Sequence, residues 1–315
     1  MGIFEILFSL KKYISMINFL ANKVIFNNYD LIITIDSPDF NYPLSKKIKK
    51  NNYNKKLIHI VAPTVWAWRK QRAKKFSNIY DEILILFKFE EKYFKKFNIK
   101  TTFIGHPIYY INNKNIFNKK TNTNKMIAFL PGSRSGELKK LFTFFNLAYN
   151  HLLTFDKNIT IFIPTLPHLK NIIIKKTHKW KLKVIVTTKK DIIDENFLLT
   201  NYALVCSGTA SLEVAKRQIP QLIIYKFNFF TELLASFFIK IKFANIINII
   251  ENKMIIPELT NSKLYKKSFI REFKNLLNDT KSNRTQILEI KKSMKGIETS
   301  IPPFQISAER IIDNL

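Results

Sequence analysis

The sequence is poor in cysteine, histidine and glycine, and these shortages exclude several kinds of site. Cys206 is the only cysteine among 315 residues, so an intramolecular disulfide is impossible, as is typical of a reducing compartment. It lies in an apolar run and is predicted to be a small buried side chain. The five histidines are dispersed, and no Cys/His or Asp-x-Asp pair has metal-ligand spacing. There is no dinucleotide-binding or Walker glycine motif.

Long apolar runs are also missing. The nearest candidate, 227–250, is interrupted by Glu232, Lys240 and Lys242, so it falls short of the roughly 18 apolar residues that a spanning helix needs. No small-residue cleavage site follows the first predicted helix, which argues against a cleavable signal. We therefore predict a chain that does not span a membrane.

Acidic residues are scarce: 52 lysines and arginines stand against 23 aspartates and glutamates, a formal net charge of +29. Such a charge suits a polyanionic partner such as nucleic acid, anionic lipid or a phosphorylated substrate. AT-rich codon usage, which enriches Lys, Asn, Ile and Phe together, explains it equally simply. The scattered lysines favour the compositional explanation, and no nucleic-acid-binding module is present. Neither explanation excludes a membrane surface, where each Lys or Arg adds about 1 kcal/mol of attraction to anionic lipid.

Short apolar β-branched runs alternate with Lys-rich helical segments, the pattern of a parallel α/β sheet. In the first part of the chain, strands are predicted at 31–35, 57–61, 82–87 and 103–105. In the second part, they are predicted at 126–130, 160–163, 183–186, 202–205 and 221–224. The stretch 111–125, rich in Asn, Lys and Thr, is the best linker candidate. The prediction is two α/β domains side by side with a cleft between them.

The first candidate site is the turn after the strand predicted at 126–130. It carries Gly132, Ser133 and Arg134, with Glu137 one helical turn further on. Free N–H groups at such a turn can hold a phosphate, and arginine offers a planar, permanently charged fork. An ordinary strand-to-helix turn with a surface arginine is the alternative.

Small residues also follow the strand predicted at 202–205, where Ser207, Gly208 and Thr209 precede a helix. Small side chains let a diphosphate approach the backbone, and a helix N-terminus favours its negative charge. Glu213 lies about one turn into the helix, within reach of ribose hydroxyls. N-capping by Ser207 or Thr209, with Glu213 in a capping box, is an alternative that can coexist with binding.

Two carboxylates, Asp36 and Asp39, stand three residues apart after the strand predicted at 31–35, where α/β sheets place ligands. One of them can act as general base toward an acceptor hydroxyl. Asn41 follows in the same run. Turn capping around Pro38 explains both aspartates equally well.

Two further loops carry aromatic or histidine side chains. Trp66 and Trp68 stand beside Arg69 after the second predicted strand, which indicates sugar or phosphate contact unless the tryptophans plug the loop into the core. His106 follows the fourth predicted strand just before the linker, near the expected cleft. A lone histidine is more often structural than catalytic.

The N-terminal segment 2–17 is predicted to be an amphipathic helix, because apolar residues recur at helical spacing. Its apolar face includes Phe4, Ile6, Leu7, Leu10 and Ile14, with Lys11 and Lys12 beside it. This face either packs on a core or lies in a lipid interface with the lysines at the head groups. The two patterns differ only in the width of the apolar stripe.

Taken in order, these stretches resemble the lipid-A-disaccharide synthase family. The resemblance rests on residues 35–41, 65–69, 104–107, 131–137 and 207–213, and the tryptophan loop is its most specific part. Weaker matches follow at Asn248 and at 257–259. The likeness implies the GT-B architecture of two Rossmann-like domains. These would be an acceptor- and membrane-facing domain at 1–117, a UDP-sugar-binding domain at 118–298, and a last helix at 299–315 that returns to the first domain.

The resemblance implies an inverting, metal-independent glycosyltransferase without a cofactor. Its donor is UDP-2,3-diacylglucosamine, its acceptor is 2,3-diacylglucosamine 1-phosphate, and its products are the β-1,6-linked disaccharide phosphate and UDP. Asp36 is then the expected base for the acceptor 6-hydroxyl. Family members bind the membrane peripherally, which favours the lipid interface for the N-terminal helix. We therefore expect a cytoplasmic protein on the inner leaflet of the inner membrane, with no nucleic-acid partner.

The resemblance also assigns the remaining candidate residues. The expected donor site comprises Gly132, Ser133, Arg134, Ser207, Gly208, Thr209 and Glu213. The expected acceptor or cleft residues are Asp39, Asn41, Trp66, Trp68, Arg69, His106 and Asn248.

The sequence departs from the family at its start. Family chains begin about 60 residues earlier, so the first domain is expected to lack about two β–α units. A truncated, non-catalytic remnant that binds UDP or membrane is therefore the alternative to an active enzyme. Smaller departures are Lys88, where members carry proline, and residues 260–261, where members carry glutamine.

Overall fold

The computed structural model of the chain describes residues 3–66, 71–110, 125–206, 208–226 and 242–315, with the backbone alone for residues 3–9. The chain divides into two compact units. The first comprises Met1–Pro107 together with Ile297–Leu315, and the second comprises Ile108–Gly296. Each unit has its own parallel sheet.

The first unit contains a four-stranded sheet in the order β1-β2-β3-β4. Its strands are β1 (Leu31–Ile35), β2 (Lys56–Ile60), β3 (Glu82–Ile85) and β4 (Lys100–Phe103). The first three lie where apolar β-branched runs predicted them. The position predicted for the fourth was wrong, because residues 103–105 mostly follow the strand. As the edge strand, β4 keeps its polar side chains partly exposed, so no apolar run marks it.

The helices of the first unit are α1 (Ile3–Asn27), α2 (Pro38–Lys50), α3 (Gln71–Ser77), α4 (Glu91–Lys95) and, at the end of the chain, α12 (Pro303–Ile312). Pro38 opens α2, since its fixed φ suits the first helical position. Helices α1 to α4 share one core with one face of the sheet, and Ile48, Leu57, Phe76, Ile83 and Phe94 are among its fully buried members.

The opposite face of this sheet carries a smaller core. Ile58, Leu84 and Ile104 are buried there, and Ile306 of α12 packs against them. On β1 the cover is thinner, because Ile33 is 38% exposed and Ile35 is 63% exposed. Parallel strands are usually covered on both faces, so the outer face at β1 is incompletely buried.

Glu82 of β3 fastens the C-terminal segment to this sheet. Its buried carboxylate accepts from Arg310 Nε at 3.0 Å and Nη2 at 3.1 Å, and from Asn314 and Thr102. Burial raises the pKa of Glu82, but these hydrogen bonds outweigh burial and hold the pKa below its ordinary value. The buried charge is therefore paired, as a stable buried carboxylate requires.

The second unit contains a six-stranded parallel sheet in the order β10-β9-β8-β5-β6-β7. Its strands are β5 (Met126–Leu130), β6 (Thr160–Pro164), β7 (Val184–Thr187), β8 (Tyr202–Cys206), β9 (Gln221–Tyr225) and β10 (Glu258–Thr260). The first five agree with the predicted strands to within one residue at each end. The last was not predicted, because so short a strand shows no periodic pattern.

The helices that the structure describes in the second unit are α5 (Ser135–Phe155), α6 (Pro167–Thr177), α7 (Lys190–Leu199), α8 (Thr209–Lys216), α9 (Ile246–Glu251), α10 (Lys266–Asn278) and α11 (Thr280–Met294). The core between these helices and the sheet is rich in aromatic rings, with Phe129, Phe145, Phe269 and Phe273 fully buried. Cys206 is buried as predicted, and burial raises the pKa of its thiol to about 12.

Two sequence predictions concern a linker and a spanning helix. The predicted linker at 111–125 lies outside the described residues, apart from Lys125. Among the helices that the structure describes, none combines the length and the apolar content needed to cross a bilayer. Most of the 227–250 run also lies outside the described residues.

Candidate active site

Three of the four strands in the first sheet are followed by backbone with positive φ. Asp36 (50°) and Ser37 (43°) follow β1, Val61 (75°) follows β2, and Gly105 (77°) lies just beyond β4. This region is unfavourable for residues with a Cβ, above all for a β-branched one. Parallel strands end at the same edge of a sheet, which is where α/β sheets bind ligands. Strain of this kind collects at functional sites, so this edge is the candidate active site of the first unit.

The turn after β1 exposes the Asp36 side chain. Its backbone N–H donates to Ile60 O at 2.9 Å and ties the turn to β2. The side-chain amide of Asn41 donates to Ile35 O at 3.1 Å and to Asp36 O at 2.7 Å. Asn41 is buried and supports the turn from inside, and its predicted contact with the acceptor stays a prediction.

Asp39, the second residue of α2, has surroundings unlike those of Asp36. Its carboxylate pairs with the guanidinium of Arg72 in α3, and its backbone carbonyl accepts from the Tyr13 hydroxyl. The spacing in the sequence left the two aspartates equivalent. The structure separates them, because one is ion-paired and the other projects from a strained turn.

Glu90 is a candidate site residue that the sequence analysis missed. Its buried carboxylate accepts the Trp66 indole N–H at 3.2 Å and the Phe87 backbone N–H at 3.1 Å. Burial raises the pKa of Glu90 to about 7, although these hydrogen bonds act in the opposite direction. The signal that could have found it is a carboxylate within a few residues of the carboxyl end of a predicted strand.

The tryptophan loop after β2 is described only in part. Trp66 is half-buried and packs edge-on against Phe89, with ring centroids 5.7 Å apart. This packing agrees with the alternative in which the ring anchors the loop to the protein. Trp68 and Arg69 lie outside the described residues, so their contacts with sugar or phosphate stay predictions.

His106 belongs to a loop that packs against the segment leading to α12. Its backbone N–H donates to Ile297 O at 3.0 Å, and a Cβ on Gly105 would lie 2.8 Å from Thr299 Oγ1. Burial lowers the pKa of His106 to about 4, so the ring is neutral near pH 7. Its predicted place at a cleft stays a prediction. No described His, Cys, Asp or Glu belongs to a group of three or more that could hold a metal ion.

In the second unit, the turn after β5 is built around Gly132, whose φ is 101°. A Cβ there would lie 2.6 Å from Glu137 Oε2 and 3.3 Å from Cys206 Sγ, so the turn needs glycine. Glu137 Oε2 accepts the backbone N–H of Ser133 at 3.1 Å and that of Arg134 at 3.3 Å. A carboxylate of the chain therefore occupies the N–H groups that the sequence analysis offered to a phosphate.

Arg134 directs its charge outward from the same turn. Its side chain is 80% exposed, and Nη1 donates to Glu137 Oε1 at 3.2 Å. Because Glu137 already satisfies the turn's N–H groups, the guanidinium is the group of this turn best suited to reach an anionic ligand. Direct contacts of Gly132 and Ser133 with the donor stay predictions.

The turn after β8 leads into α8. Gly208, with φ of 144°, holds the cap position, and Thr209 is the first helical residue. Ser207 lies outside the described residues. Glu213 sits one turn into the helix and pairs with Arg217 Nη1 at 3.1 Å, so its carboxylate is fixed by an ion pair and not by the capping box that we considered.

Asn248 lies in a buried polar network. Its amide donates to Ile256 O at 2.7 Å and to Glu258 Oε2 at 3.2 Å. Glu258 also accepts the backbone N–H of Asn245, whose side chain donates to Ser211 Oγ in α8. These hydrogen bonds stabilise the 245–258 segment and link it to α8. The predicted place of Asn248 in the acceptor site or cleft stays a prediction.

Helix α1 has two apolar faces with different surroundings. Ile17 and Ala21 are buried in the core shared with α2. The helix also exposes Leu10, Ile14, Phe19 and Phe26. Phe4, Ile6 and Leu7 belong to the segment for which the structure describes the backbone alone. With 3.6 residues per turn, Leu10 and Ile14 continue the face of Ile17 and Ala21 toward the N-terminus, whereas Phe19 and Phe26 lie on the opposite side of the helix.

Comparison with known proteins agrees with this architecture. A profile of the lipid-A-disaccharide synthetase family matches residues 1–311. A lipid-A-disaccharide synthase from Rickettsia prowazekii is 32% identical over 318 residues, which cover 98% of this chain and 83% of the relative. The S. aureus MnaA–UDP co-structure has a TM-score of 0.62 at 12% identity and covers 97% of this chain and 82% of its own. The Acinetobacter baumannii MurG structure has a TM-score of 0.59 at 11% identity, and the match covers 96% of this chain and 79% of the MurG chain.

The likeness to solved structures defines the fold class. Two Rossmann-like units with parallel sheets place the chain in the GT-B class of glycosyltransferase folds. The profile and the relatives then define the family. The chain belongs to the lipid-A-disaccharide synthetase family, enzymes that make the lipid A disaccharide. The predicted fold class and family are thereby confirmed.

Proposed function

We propose that the chain transfers the sugar of UDP-2,3-diacylglucosamine to 2,3-diacylglucosamine 1-phosphate, giving the β-1,6-linked lipid A disaccharide 1-phosphate and UDP. The family supports synthesis of the disaccharide. A structure of the same fold class solved with UDP supports the choice of nucleotide. The observation that carries the proposal is the exposed Asp36 on left-handed backbone at the carboxyl edge of the first sheet.

In this proposal, the 6-hydroxyl oxygen of the acceptor attacks the anomeric carbon of the donor, and Asp36 accepts the proton of that hydroxyl. The bond between that carbon and the diphosphate breaks in the same step, so the configuration inverts. Negative charge develops on the departing UDP, where the exposed Arg134 guanidinium and the N-terminus of α8 stabilise it. Ser207 and Thr209 add hydroxyl contacts to the diphosphate, and Glu213 holds the ribose.

Both substrates carry acyl chains, so the enzyme has to meet them at a membrane surface. The exposed side chains of Leu10 and Ile14, which lie on the same face of α1, support contact between α1 and the inner leaflet, on its cytoplasmic side. Co-sedimentation with vesicles that contain anionic lipid tests this contact. The double variant Leu10→Ser, Ile14→Ser is expected to bind fewer vesicles, and undiminished binding would contradict the assignment.

A disaccharide-forming assay on the full chain tests the proposed reaction. Release of UDP is expected only when both acylated sugars are present, and it is expected to persist in a metal chelator. Release of UDP from the donor alone would point to hydrolysis. Binding of UDP or vesicles without any turnover would favour the alternative of a non-catalytic chain.

A further inference from the structure

A series of buried hydrogen bonds crosses the first unit from β2 to the turn after β1. It begins at His59 in β2, passes through Thr34 in β1 and Tyr80 after α3, and ends at Asn41 in α2. Ser45 of α2 bonds to it at Tyr80. All five side chains are buried. Such networks hold a unique arrangement as far as their members are satisfied, and of these five side chains only His59 has a buried atom without a hydrogen-bond partner, Nε2.

The direction of each hydrogen bond in this series follows from its last bond, the one between Tyr80 and the Asn41 backbone carbonyl. The Asn41 backbone carbonyl can only accept, so Tyr80 uses its single hydroxyl hydrogen there, at 3.2 Å. Tyr80 therefore accepts from Ser45 Oγ at 2.9 Å and from Thr34 Oγ1 at 3.2 Å. The Thr34 hydroxyl hydrogen is directed to Tyr80, because its other acceptor, Ile58 O, is further away at 3.4 Å. Thr34 Oγ1 therefore accepts from His59 Nδ1–H at 2.8 Å. Burial lowers the pKa of His59 to about 4, so the ring is neutral near pH 7 and Nδ1 carries its single proton.

Asn41 joins this series to Asp36. Its backbone carbonyl receives the Tyr80 hydroxyl, while its side-chain amide donates to Ile35 O and Asp36 O. Its backbone N–H donates to Ser37 O at 3.0 Å. Asn41 therefore bonds to the left-handed pair from both its main chain and its side chain. Left-handed backbone is unfavourable for residues with a Cβ and persists only when surrounding contacts hold it. A shift of Asn41 would weaken those contacts and let Asp36 and Ser37 relax to ordinary backbone.

We propose that Tyr80 is a positioning residue for Asp36. Its hydroxyl, oriented by Thr34 and Ser45, fixes Asn41, and Asn41 fixes the turn from which the Asp36 carboxylate projects. Tyr80 acts through Asn41 and does not itself contact substrate. The inference rests on the proposed role of Asp36 as the base, because a misplaced base lowers the rate steeply.

Tyr80→Phe tests the hydroxyl and keeps the ring, which packs on Phe76 and His59 at centroid distances of 5.2 and 5.0 Å. Tyr53→Phe is the matched control. The Tyr53 hydroxyl also donates to a backbone carbonyl of the first unit, that of Tyr29, and Tyr53 is likewise buried. Each variant therefore loses a hydroxyl that donates to a backbone carbonyl, but the Tyr80 hydroxyl also accepts from Thr34 and Ser45, and only Tyr80 is bonded to the support of the Asp36 turn.

Hydrogen–deuterium exchange of the full chain tests the link between Tyr80 and the turn without requiring turnover. Amides in 36–41 are expected to exchange about tenfold faster in Tyr80→Phe, because local opening becomes easier. The amides of β3 report opening of the whole unit and are expected to stay unchanged. Tyr53→Phe is expected to leave 36–41 as slow as in the parent. Unchanged exchange at 36–41 in Tyr80→Phe overturns the proposal, and so does an equal rise throughout the unit.

Steady-state kinetics test the link between the turn and the reaction. The kcat of Tyr80→Phe is expected to fall by about ten- to a hundredfold, with KM for both sugars changed by less than about twofold. In an Asp36→Asn background the same substitution is expected to have no further effect on kcat. A further decrease in that background overturns the proposal, because Tyr80 would then act independently of Asp36.

The failure of this inference is distinguishable from the failure of the proposed function. An inactive Asp36→Asn beside a fully active Tyr80→Phe overturns the positioning role alone. A parental kcat in Asp36→Asn overturns the base assignment and this inference together. In a chain that shows no turnover, the exchange at 36–41 alone decides whether Tyr80 holds the turn.

Discussion

The turn after β1 and the turn after β5 both connect a parallel strand to a helix, and each presents a charged side chain. After β1, Asp36 and Ser37 take left-handed φ values, and the Asn41 amide donates to the carbonyls of the turn. After β5, Gly132 takes the positive φ, and the Glu137 carboxylate accepts from the N–H groups of the turn. The first turn is held by a donor and the second by an acceptor.

The difference shows what a turn needs when its strained position carries the side chain that functions. Gly132 bears no side chain, so its turn can use glycine and place Arg134 two residues later. Asp36 is itself the left-handed residue, which is unfavourable by about 1–2 kcal/mol relative to ordinary helical backbone. That strain has to be offset from outside the turn, and Asn41 with the buried series behind it supplies the support.

The largest expected effect is that of removing the glycine from the second turn. Gly132→Ala is expected to lower the free energy of unfolding by about 3 kcal/mol, because its Cβ would meet Glu137 and Cys206 on backbone of positive φ. Gly136→Ala is the control, since no described atom lies within 4 Å of its added Cβ apart from its chain neighbours and the backbone of its own helix. It is expected to raise stability by about 0.5–1 kcal/mol. Chemical denaturation measures both, and a neutral Gly132→Ala would contradict the close packing of this turn.

A pair of isosteric substitutions tests whether the two turns are held by opposite chemistry. Asn41→Asp places a carboxylate against two carbonyl oxygens and is expected to lose about 2 kcal/mol of stability at neutral pH. Glu137→Gln keeps an acceptor for the N–H groups and is expected to lose less than about 1 kcal/mol. Equal losses in the two denaturation curves would show that the donor–acceptor contrast is not what stabilises these turns.

The smallest expected effect, for a change of one pH unit, is the pH dependence that Glu90 contributes to the first unit. Glu90 has a pKa raised by burial from 4.5 to about 7, so between these values the folded chain keeps a proton that the unfolded chain has lost. The contribution of Glu90 to stability is therefore expected to fall as pH rises through this window, by at most about 1.4 kcal/mol per pH unit. His59 and His106, with lowered pKa values, contribute the opposite slope.

Glu90→Gln isolates the carboxyl contribution to this dependence. The variant does not titrate, so its stability is expected to rise with pH more than that of the parent across the same window. Amide exchange in β3, followed beside β5 of the second unit, measures the two units in one sample. Parallel pH profiles for parent and variant would contradict the raised pKa of Glu90.

The strands of both sheets were predictable because most are buried apolar runs, as β3 and β5 show. The edge strand β4 and the three-residue β10 were not, since exposure or shortness removes the pattern. Asp36 and Arg134 were found because they follow predicted strands. What separates Asp36 from Asp39 is the ion pair with Arg72, a contact between residues distant in the chain. The burial of Glu90 is likewise a tertiary property that no local pattern contains.

The rate of disaccharide formation by Asp36→Asn, measured beside Asp39→Asn with both sugars saturating, tests the base assignment most directly. Each substitution removes one carboxylate from the same short segment and keeps its shape. Asp36→Asn is expected to lower kcat by about 10²- to 10⁴-fold, the usual contribution of a general base. Asp39→Asn loses an ion pair with Arg72 and is expected to lower kcat by less than about tenfold. If Asp36→Asn keeps more than about a tenth of the parental kcat, or if Asp39→Asn is the more damaging change, Asp36 is not the base.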